Sequence, residues 1–234
     1  MVTRFTRTRA GEAFRTVLAA GVAAAACVSF SHTPAGAASL PVHLYPRPPF
    51  PAIVACDLTR EAIAPGIERA SYRILTAAGP LRVDLVIADP ANRWVRFDTV
   101  LARDTLGGAL ERVSSMASRT GAVAGINGDY FAIGADVAPL GAVVRNGAVV
   151  HAGGSRPAFA IGRDGRVRVG PFDSGAGAQT AIGGGPVLLR GARIANDAGS
   201  TNYAERAMRI PASVLVRFPS GEVGLVVVDG RRPA

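Results

Sequence analysis

The sequence of 234 residues contains no lysine, two cysteines, one tryptophan and three histidines, and aromatic residues make up only 6% of it. Two cysteines are too few for a disulfide-framework miniprotein or a zinc module built on several thiolates. Hydrophobic residues make up 49%, which is enough for a core and excludes wholesale disorder. The 28 glycines and 16 prolines follow no fixed period, so collagen and solenoid arrays are excluded as well.

All 26 basic residues are arginines, and they face 17 acidic residues to give a formal net charge of +9. The arginines are scattered along the chain, and few aromatic residues lie among them. This pattern predicts no nucleic-acid module. It supports at most a mild attraction to anionic substrates or an anionic cell wall.

Residues 1–38 predict a secretory signal peptide. A basic region at 4–15 precedes an apolar run at 16–30, and the small residues at 35–37 fit a cleavage site. The run is shorter than the roughly 20 residues that a spanning helix needs. We therefore expect a secreted or cell-envelope protein without a membrane span after processing. An uncleaved anchor and lipoprotein processing at Cys27 are the alternatives.

The segment 39–68 predicts a proline-rich spacer, because five prolines between positions 41 and 51 remove backbone donors and fix φ. Once the leader is removed, Cys56 would be the only cysteine and would have no partner within the chain. The domain proper is predicted over residues 69–234.

Hydrophobic periodicity within this domain predicts an α+β fold. Apolar residues alternate over 81–87, a second strand is expected over 94–100, and helical spacing occurs over 106–118. Four hairpin signals follow, at 143–150, 159–169, 186–194 and 214–228. Together they predict a mainly antiparallel or mixed sheet built from hairpins, with few helices.

The chain stops directly after an apolar strand expected over 223–228. We therefore expect a domain that is incomplete at its C-terminus. Such a strand would expose an unpaired apolar edge, which favours self-association.

The densest polar and glycine-rich stretch is Asn127-Gly128-Asp129, directly after a buried strand expected over 122–126. An amide and a carboxylate at the end of a strand lie where ligands commonly bind. The alternative is a plain turn, because Asn-Gly and Gly-Asp are ordinary turn formers.

Three further stretches carry candidate chemistry. Gly183, Gly184 and Gly185 could bring backbone N–H groups close to a ligand, or could form a bulged strand. Asp229 follows a hydrophobic strand, where it could be catalytic or part of a turn. Arg209 could clamp a phosphate through its planar fork of donors.

Metal and histidine signals are weak. His151 follows a hairpin strand and is interpreted as a surface histidine. The sequence has no zinc or EF-hand motif, so no cofactor is predicted, although a divalent ion held by Asp129 and backbone oxygens is left open.

Taken in order, these stretches resemble the phosphodiester glycosidase family, which includes the mannose-6-phosphate uncovering enzyme and bacterial relatives. The resemblance covers about residues 69–231. It rests on six stretches: Gly125-Ile126-Asn127-Gly128-Asp129-Tyr130-Phe131, Pro139-Leu140-Gly141 with Asn146-Gly147, Arg156-Pro157-Ala158-Phe159, the glycine-rich segment 181–188, Arg209, and Val226-Val227-Val228-Asp229-Gly230-Arg231.

Two departures from the family pattern are visible. Arg209 is followed by Ile210-Pro211-Ala212 where the family has Thr-Ala-x-Gly. The family also continues past Asp-Gly-Arg into a helix and a strand that ends in Leu-Asp-Gly-Gly-Gly-Ser, and this sequence does not contain that segment.

The resemblance implies an exported hydrolase that cleaves the glycosidic bond of sugar-1-phosphodiesters in envelope or extracellular glycans. Asp129 and Asp229 would be the catalytic carboxylates, because hydrolysis at an anomeric carbon needs one to activate water or to attack. Arg209, with Arg231 as the fallback, would hold the phosphate.

The remaining site residues implied by the resemblance would bind substrate: Asn127, Gly128, Gly183, Gly184, Gly185 and Arg231. A non-catalytic envelope module that binds sugar-phosphate polymers through the same groove is the alternative, and a secreted structural domain is a third interpretation. Both site-based interpretations require Asn127, Asp129, Arg209 and Asp229 to converge on one cleft.

Overall fold

The computed structural model describes residues 2–7, 52–134, 136–154, 156–174, 177–191, 193–194 and 211–229. Arg209 and Arg231 lie outside these residues, as do residues 8–38 of the predicted leader and 39–51 of the predicted spacer.

The described chain is mostly antiparallel sheet. One α-helix, α1, spans Val113–Thr120, and a short 3-10 helix spans Ala102–Asp104. The strands β1 to β15, in chain order, are Val2–Arg7, Ile53–Ala64, Ile67–Thr76, Gly79–Ala88, Val95–Val100, Ala124–Asn127, Val143–Arg145, Ala148–His151, Pro157–Gly162, Val167–Pro171, Ala178–Gly183, Leu189–Arg190, Arg193–Ile194, Ala212–Arg217 and Val223–Val228. The predicted fold class, sheet built from hairpins with few helices, is confirmed.

The strands form two five-stranded sheets, in the orders β14-β15-β4-β3-β2 and β10-β9-β11-β7-β8. A three-stranded sheet, β5-β1-β6, and the small pair β12-β13 complete the described pairings. The hairpin of β7 and β8 turns where predicted. Asn146 and Gly147 both have positive φ, 52° and 79°, as the favoured two-residue hairpin turn requires.

The core lies where the three larger sheets meet. Strands from all three sheets contribute to it, and β9 and β11 are buried along nearly their whole length. Burying each large apolar side chain contributes about 1.5–3 kcal/mol. The buried cluster is Ile67, Ala88, Val95, Phe97, Ile126, Phe159, Ile161, Ile182, Val223 and Leu225.

Two strands lie in segments that the sequence assigned to other roles. Residues 2–7 of the predicted leader form β1, which pairs with both β5 and β6. Residues 53–64 of the predicted spacer form β2, which pairs with β3 along its length. The prolines that suggested a spacer all precede β2, so nothing prevents its backbone from joining the sheet.

Cys56 on β2 is disulfide-bonded in the full chain, and the unpaired Cys56 expected after leader removal stays a prediction.

The helix expected over 106–118 begins later, at Val113. Gly107 and Gly108 have positive φ, 84° and 70°, and so keep the preceding segment out of helical conformation. Of the apolar residues that suggested a longer helix, Leu110 is 68% exposed, whereas Met116 is buried.

The exposed edge expected for the last strand is not observed. β15 lies between β14 and β4 and pairs with both. The physical basis for the predicted self-association is therefore absent from this strand.

No helix in the described part of the chain is both long and apolar enough to span a bilayer.

Candidate active site

The loop after β6 carries the central site residue, Asp129. Ile126 is buried in the core and anchors the start of this loop. Asp129 has a φ of 24°, a conformation that costs energy for any residue other than glycine. Its Oδ1 accepts the backbone N–H of Tyr130 at 2.8 Å, and its Oδ2 accepts that of Gly141 at 2.5 Å. The carboxylate is therefore held in one orientation.

Two glycines let separate stretches of backbone close around this carboxylate. A Cβ on Gly183 would lie 2.5 Å from Cα of Gly141 and 2.8 Å from Oδ2 of Asp129. A Cβ on Gly141 would lie 2.8 Å from both Cα of Gly183 and the same oxygen. The approach is fixed by the N–H of Gly183, which donates to the carbonyl of Ala142 at 2.7 Å. Only glycine fits at either position without a shift of the backbone.

Burial raises the pKa of Asp129 above its ordinary value of 3.8. Hydrogen bonds from the backbone of Gly141 and Tyr130 act in the opposite direction, as do the charges of Arg156 and His151, but they do not cancel the rise. A carboxylate whose pKa moves toward neutrality is better suited to accept a proton from water.

Asp129 lines a cleft of about 220 Å³ together with Asn127 and Gly128. Most of the other lining residues are apolar, including Met116 on α1. At its rim lie Tyr130 and Phe131, each 46% exposed. A concave, largely apolar surface with a few converging polar groups is the usual form of a small-molecule site.

Asn127 and Asp129 thus share one cleft, whereas Asp229 does not line it. The side chain of Asn127 accepts the hydroxyl of Ser213 on β14 at 2.6 Å. The carboxylate of Asp229 accepts the backbone N–H of Arg82 at 2.6 Å, at the end of the pairing between β15 and β4. The expected convergence is therefore seen for the amide and one carboxylate, and both predicted arginine clamps fall outside the described residues.

The three successive glycines do not form an anion cradle of free N–H groups. The N–H of Gly183 is bonded to Ala142, and that of Gly184 donates to the carbonyl of Pro157 at 3.0 Å. Gly185 has a φ of 135° and precedes a cis peptide to Pro186. The part of this segment that contacts the site is Gly183, through its close approach to Asp129.

Sequence reasoning missed Glu111, which is the other carboxylate that lines the cleft. It lies in the segment predicted as helix, so its tertiary partners gave no local signal. Arg119 binds both of its oxygens, at 2.9 and 3.1 Å, and the backbone N–H of Arg103 and the hydroxyl of Ser115 add further hydrogen bonds. These partners, Arg119 foremost, lower the pKa of Glu111 to about 2. Glu111 thus connects Arg119 and Ser115 on α1 to Arg103 in the preceding segment, and we call this set of contacts the brace.

This brace predicts a specific dependence of stability on pH. Because the pKa of Glu111 falls from 4.5 to about 2 on folding, its contribution is fully present above pH 4.5. It is lost as the pH falls toward 2. We expect Glu111→Gln to lower the Tm at pH 7, and the difference from the wild type to shrink on acidification, as measured by thermal unfolding.

Glu61→Gln is the matched control, since Glu61 also pairs with an arginine, Arg69 at 3.2 Å, but is 54% exposed. An exposed pair contributes little, so its Tm should change much less. An equal decrease in Tm in the two variants at pH 7 would contradict a stabilising role for the brace.

Arg156 and His151 were not recognised as site residues either. The guanidinium of Arg156 lies 5.1 Å from the ring centroid of Tyr130. Nδ1 of His151 lies 2.8 Å from the carbonyl oxygen of Gly141, whose N–H binds Asp129. The histidine is half-buried, so its interpretation as a surface residue is only partly right. His151 ends β8 and Arg156 directly precedes β9, and only the fold shows what they face.

A larger open groove of about 380 Å³ lies along β9 and β10. Its lining is mainly alanine, glycine and other apolar residues, and its charged members are Arg168 and Asp173. The described residues contain no group of three or more His, Cys, Asp or Glu arranged to hold a metal ion. We place the candidate site in the smaller cleft because the fixed carboxylate of Asp129 lines it.

The fold and the cleft define a sheet-rich α+β protein with a fixed, half-buried carboxylate in an apolar pocket. Residues 120–234 match the family model described as phosphodiester glycosidase. The resemblance drawn from the motifs is thereby confirmed over residues 120–234. No protein of curated function matches the sequence.

Among the solved structures that match this chain, two show the extent of the similarity. A hypothetical protein from Synechocystis aligns with a TM-score of 0.64 at 14% identity, over 74% of this chain and 52% of that one. The catalytic domain of zebrafish N-acetylglucosamine-1-phosphodiester alpha-N-acetylglucosaminidase, auto-inhibited by its pro-peptide, aligns with a TM-score of 0.52 at 16% identity. That match covers 75% of this chain and 66% of the zebrafish domain. This chain therefore spans about half of the first protein and slightly under two thirds of the second.

Proposed function

We propose that this protein hydrolyses the glycosidic bond of sugar-1-phosphodiesters. Water adds its oxygen to the anomeric carbon, the bond between that carbon and the phosphate oxygen breaks, and the water proton leaves with the phosphomonoester. The observation that carries the proposal is the carboxylate of Asp129, fixed by two backbone N–H groups in a cleft of the family's domain. The name of the zebrafish neighbour supports the same substrate class.

In this mechanism Asp129 takes the proton of the attacking water or attacks the anomeric carbon itself. Asn127, oriented by Ser213, hydrogen-bonds a sugar hydroxyl. The exposed rings of Tyr130 and Phe131 offer apolar faces against which the sugar ring can pack. A phosphate ester is already a good leaving group, so electrostatic stabilisation of its charge contributes more than protonation does.

The experiment is an assay of reducing sugar released from a panel of sugar-1-phosphodiesters, including an N-acetylglucosamine diester. We expect the full chain to release free sugar and a phosphomonoester in equal amounts. Binding of the same diesters without release would favour the alternative, a non-catalytic module that binds sugar-phosphate polymers. Neither binding nor release across the panel would contradict both functions.

We also propose export to the cell envelope or the medium. The arginine-rich region at 4–15, the apolar run at 16–30 and the small residues at 35–37 support it. Sequencing the N-terminus of protein recovered from the envelope and the medium tests it, and an intact Met1 in both fractions would contradict cleavage.

A further inference from the structure

One cation beside Asp129 has no anionic partner in the described part of the chain. Nη1 of Arg156 is buried and has no hydrogen-bond partner there. None of the ion pairs between described residues involves its guanidinium, although its charge acts on Asp129. The Asp129 oxygens instead bind the backbone of Tyr130 and Gly141.

Other partly buried arginines in the described chain have a carboxylate partner, although Nε of Arg145 is also buried without a hydrogen-bond partner. Arg119 binds Glu111 and Asp104, and Arg145 binds Asp104 at 2.8 Å through Nη1. Burying a cationic nitrogen without a partner opposes folding. An arginine kept in this state next to a candidate catalytic carboxylate is what a binding site for an anionic ligand requires, because the ligand supplies the missing partner.

We propose that Arg156 binds the negatively charged phosphate of the substrate, a phosphodiester monoanion, beside Asp129. This inference rests on the proposed function and adds a residue to it. One guanidinium matches the single charge of a phosphodiester, and its planar donors can bind two oxygens at once. The cation–π contact with Tyr130, a residue that lines the cleft, holds the guanidinium beside the site.

The placement also links the two charges of the site. The positive charge of Arg156 opposes the rise in the pKa of Asp129. Neutralising that charge, by substitution or by a bound phosphate, should raise the pKa of Asp129 further. A purely structural arginine distant from the carboxylate would not produce this effect.

The test compares binding of dimethyl phosphate and inorganic phosphate to the full chain by calorimetry. We expect Arg156→Gln to weaken binding of dimethyl phosphate by at least about tenfold, because it removes a charged hydrogen bond. Arg156→Lys should lie between wild type and Gln, because it keeps the charge but loses the fork. Arg166→Gln is the matched control, since the Arg166 side chain is 85% exposed and lies 3.5 Å from Asp164; it should bind like the wild type.

Two further readouts separate binding from folding. The Tm of Arg156→Gln should equal or exceed that of the wild type, because no ion pair with the described residues is lost. In a chain that hydrolyses the diester, the acidic limb of its pH profile should move upward relative to wild type. If Arg156→Gln does not fold, Arg156→Lys is used instead. Binding of dimethyl phosphate by Arg156→Lys as tightly as by the wild type would overturn a bidentate role for Arg156.

The outcomes distinguish this inference from the proposed function. Hydrolysis by wild type with unchanged KM and kcat in Arg156→Gln would overturn the inference and leave the function standing. Phosphate binding that depends on Arg156, without hydrolysis, would support the inference and contradict the enzyme. Tighter binding of inorganic phosphate than of dimethyl phosphate would overturn the assignment to a diester, and no binding of either would overturn the site.

Discussion

Replacing Asp129 with asparagine should reduce turnover of a sugar-1-phosphodiester by about 10²- to 10⁴-fold, the range for removing a positioned acid–base group. The substitution keeps the size of the side chain and one acceptor oxygen. It removes the charge that accepts a proton from water or attacks the anomeric carbon. The measurement is kcat/KM for the wild type and the variant under identical conditions.

The stability of the Asp129→Asn variant should depend on pH differently from that of the wild type. Because burial raises the pKa of Asp129 above 3.8, the folded state holds this proton more tightly than the unfolded chain does. Ionisation therefore opposes folding, and stability falls as the pH rises from 3.8 through the raised value. Asp129→Asn should lack this component, so its Tm relative to wild type should rise with pH across that window.

Two other aspartates serve as comparisons. Asp136 is exposed and follows Asp129 by seven positions, so Asp136→Asn should keep full activity. Asp229→Asn tests the second carboxylate suggested by the sequence, whose side chain is bonded to the backbone of Arg82. If Asp229→Asn abolishes activity and Asp129→Asn does not, the assignment of the catalytic carboxylate to Asp129 is wrong.

Local signals in the sequence were sufficient for most hairpins. Asn146-Gly147 and Asp164-Gly165 each turn the chain between apolar runs, and both pairs of flanking strands form as predicted. The alternation over 81–87 likewise became β4. In each case the information lies within about ten residues, where turn chemistry and side-chain period decide the structure.

Features that depend on distant contacts were not predicted. β2 is an edge strand with mostly exposed side chains, so it shows no clear period, and its pairing with β3 is what defines it. The apolar spacing over 106–118 predicts a helix that starts before Val113, whereas Gly107 and Gly108 keep that part of the chain out of helical conformation. Local spacing cannot reveal that Leu110 has nothing to pack against.

The site illustrates the same division. Asn127 and Asp129 could be singled out, because a polar pair after a buried strand is a local pattern. Arg156 and Glu111 could not, because their importance comes from burial and from partners elsewhere in the chain. The successive glycines were correctly singled out, but for a different reason from the one the structure shows.

The close packing of Gly183 against Gly141 and Asp129 predicts that one added methyl group lowers both stability and activity. Gly183→Ala would place Cβ 2.5 Å from Cα of Gly141 and 2.8 Å from Oδ2 of Asp129. Both neighbours are constrained, one as backbone and one by its two hydrogen bonds, so the contact cannot be relieved by a side-chain rotation. Overpacking of this kind costs about 1–3 kcal/mol.

The loss of activity should be larger than the loss of stability suggests. The methyl group pushes on the oxygen of Asp129 that binds Gly141, and a misplacement of about 1 Å can cost roughly a hundredfold in rate. We therefore expect Gly183→Ala to lower kcat by about that factor at temperatures where it remains folded. Thermal unfolding and single-turnover rates on the same preparation measure the two effects separately.

Gly184→Ala is the matched control, because the same substitution one residue later meets no atom within 4 Å. Its N–H still donates to Pro157, since alanine keeps that group. Its stability should stay within about 0.5 kcal/mol of wild type, as for an open surface site. Equal losses of activity in the two variants would mean that the glycines act through backbone flexibility or direct ligand contact. A loss confined to Gly183→Ala would mean that close packing of β11 against Asp129 holds the carboxylate in its working position.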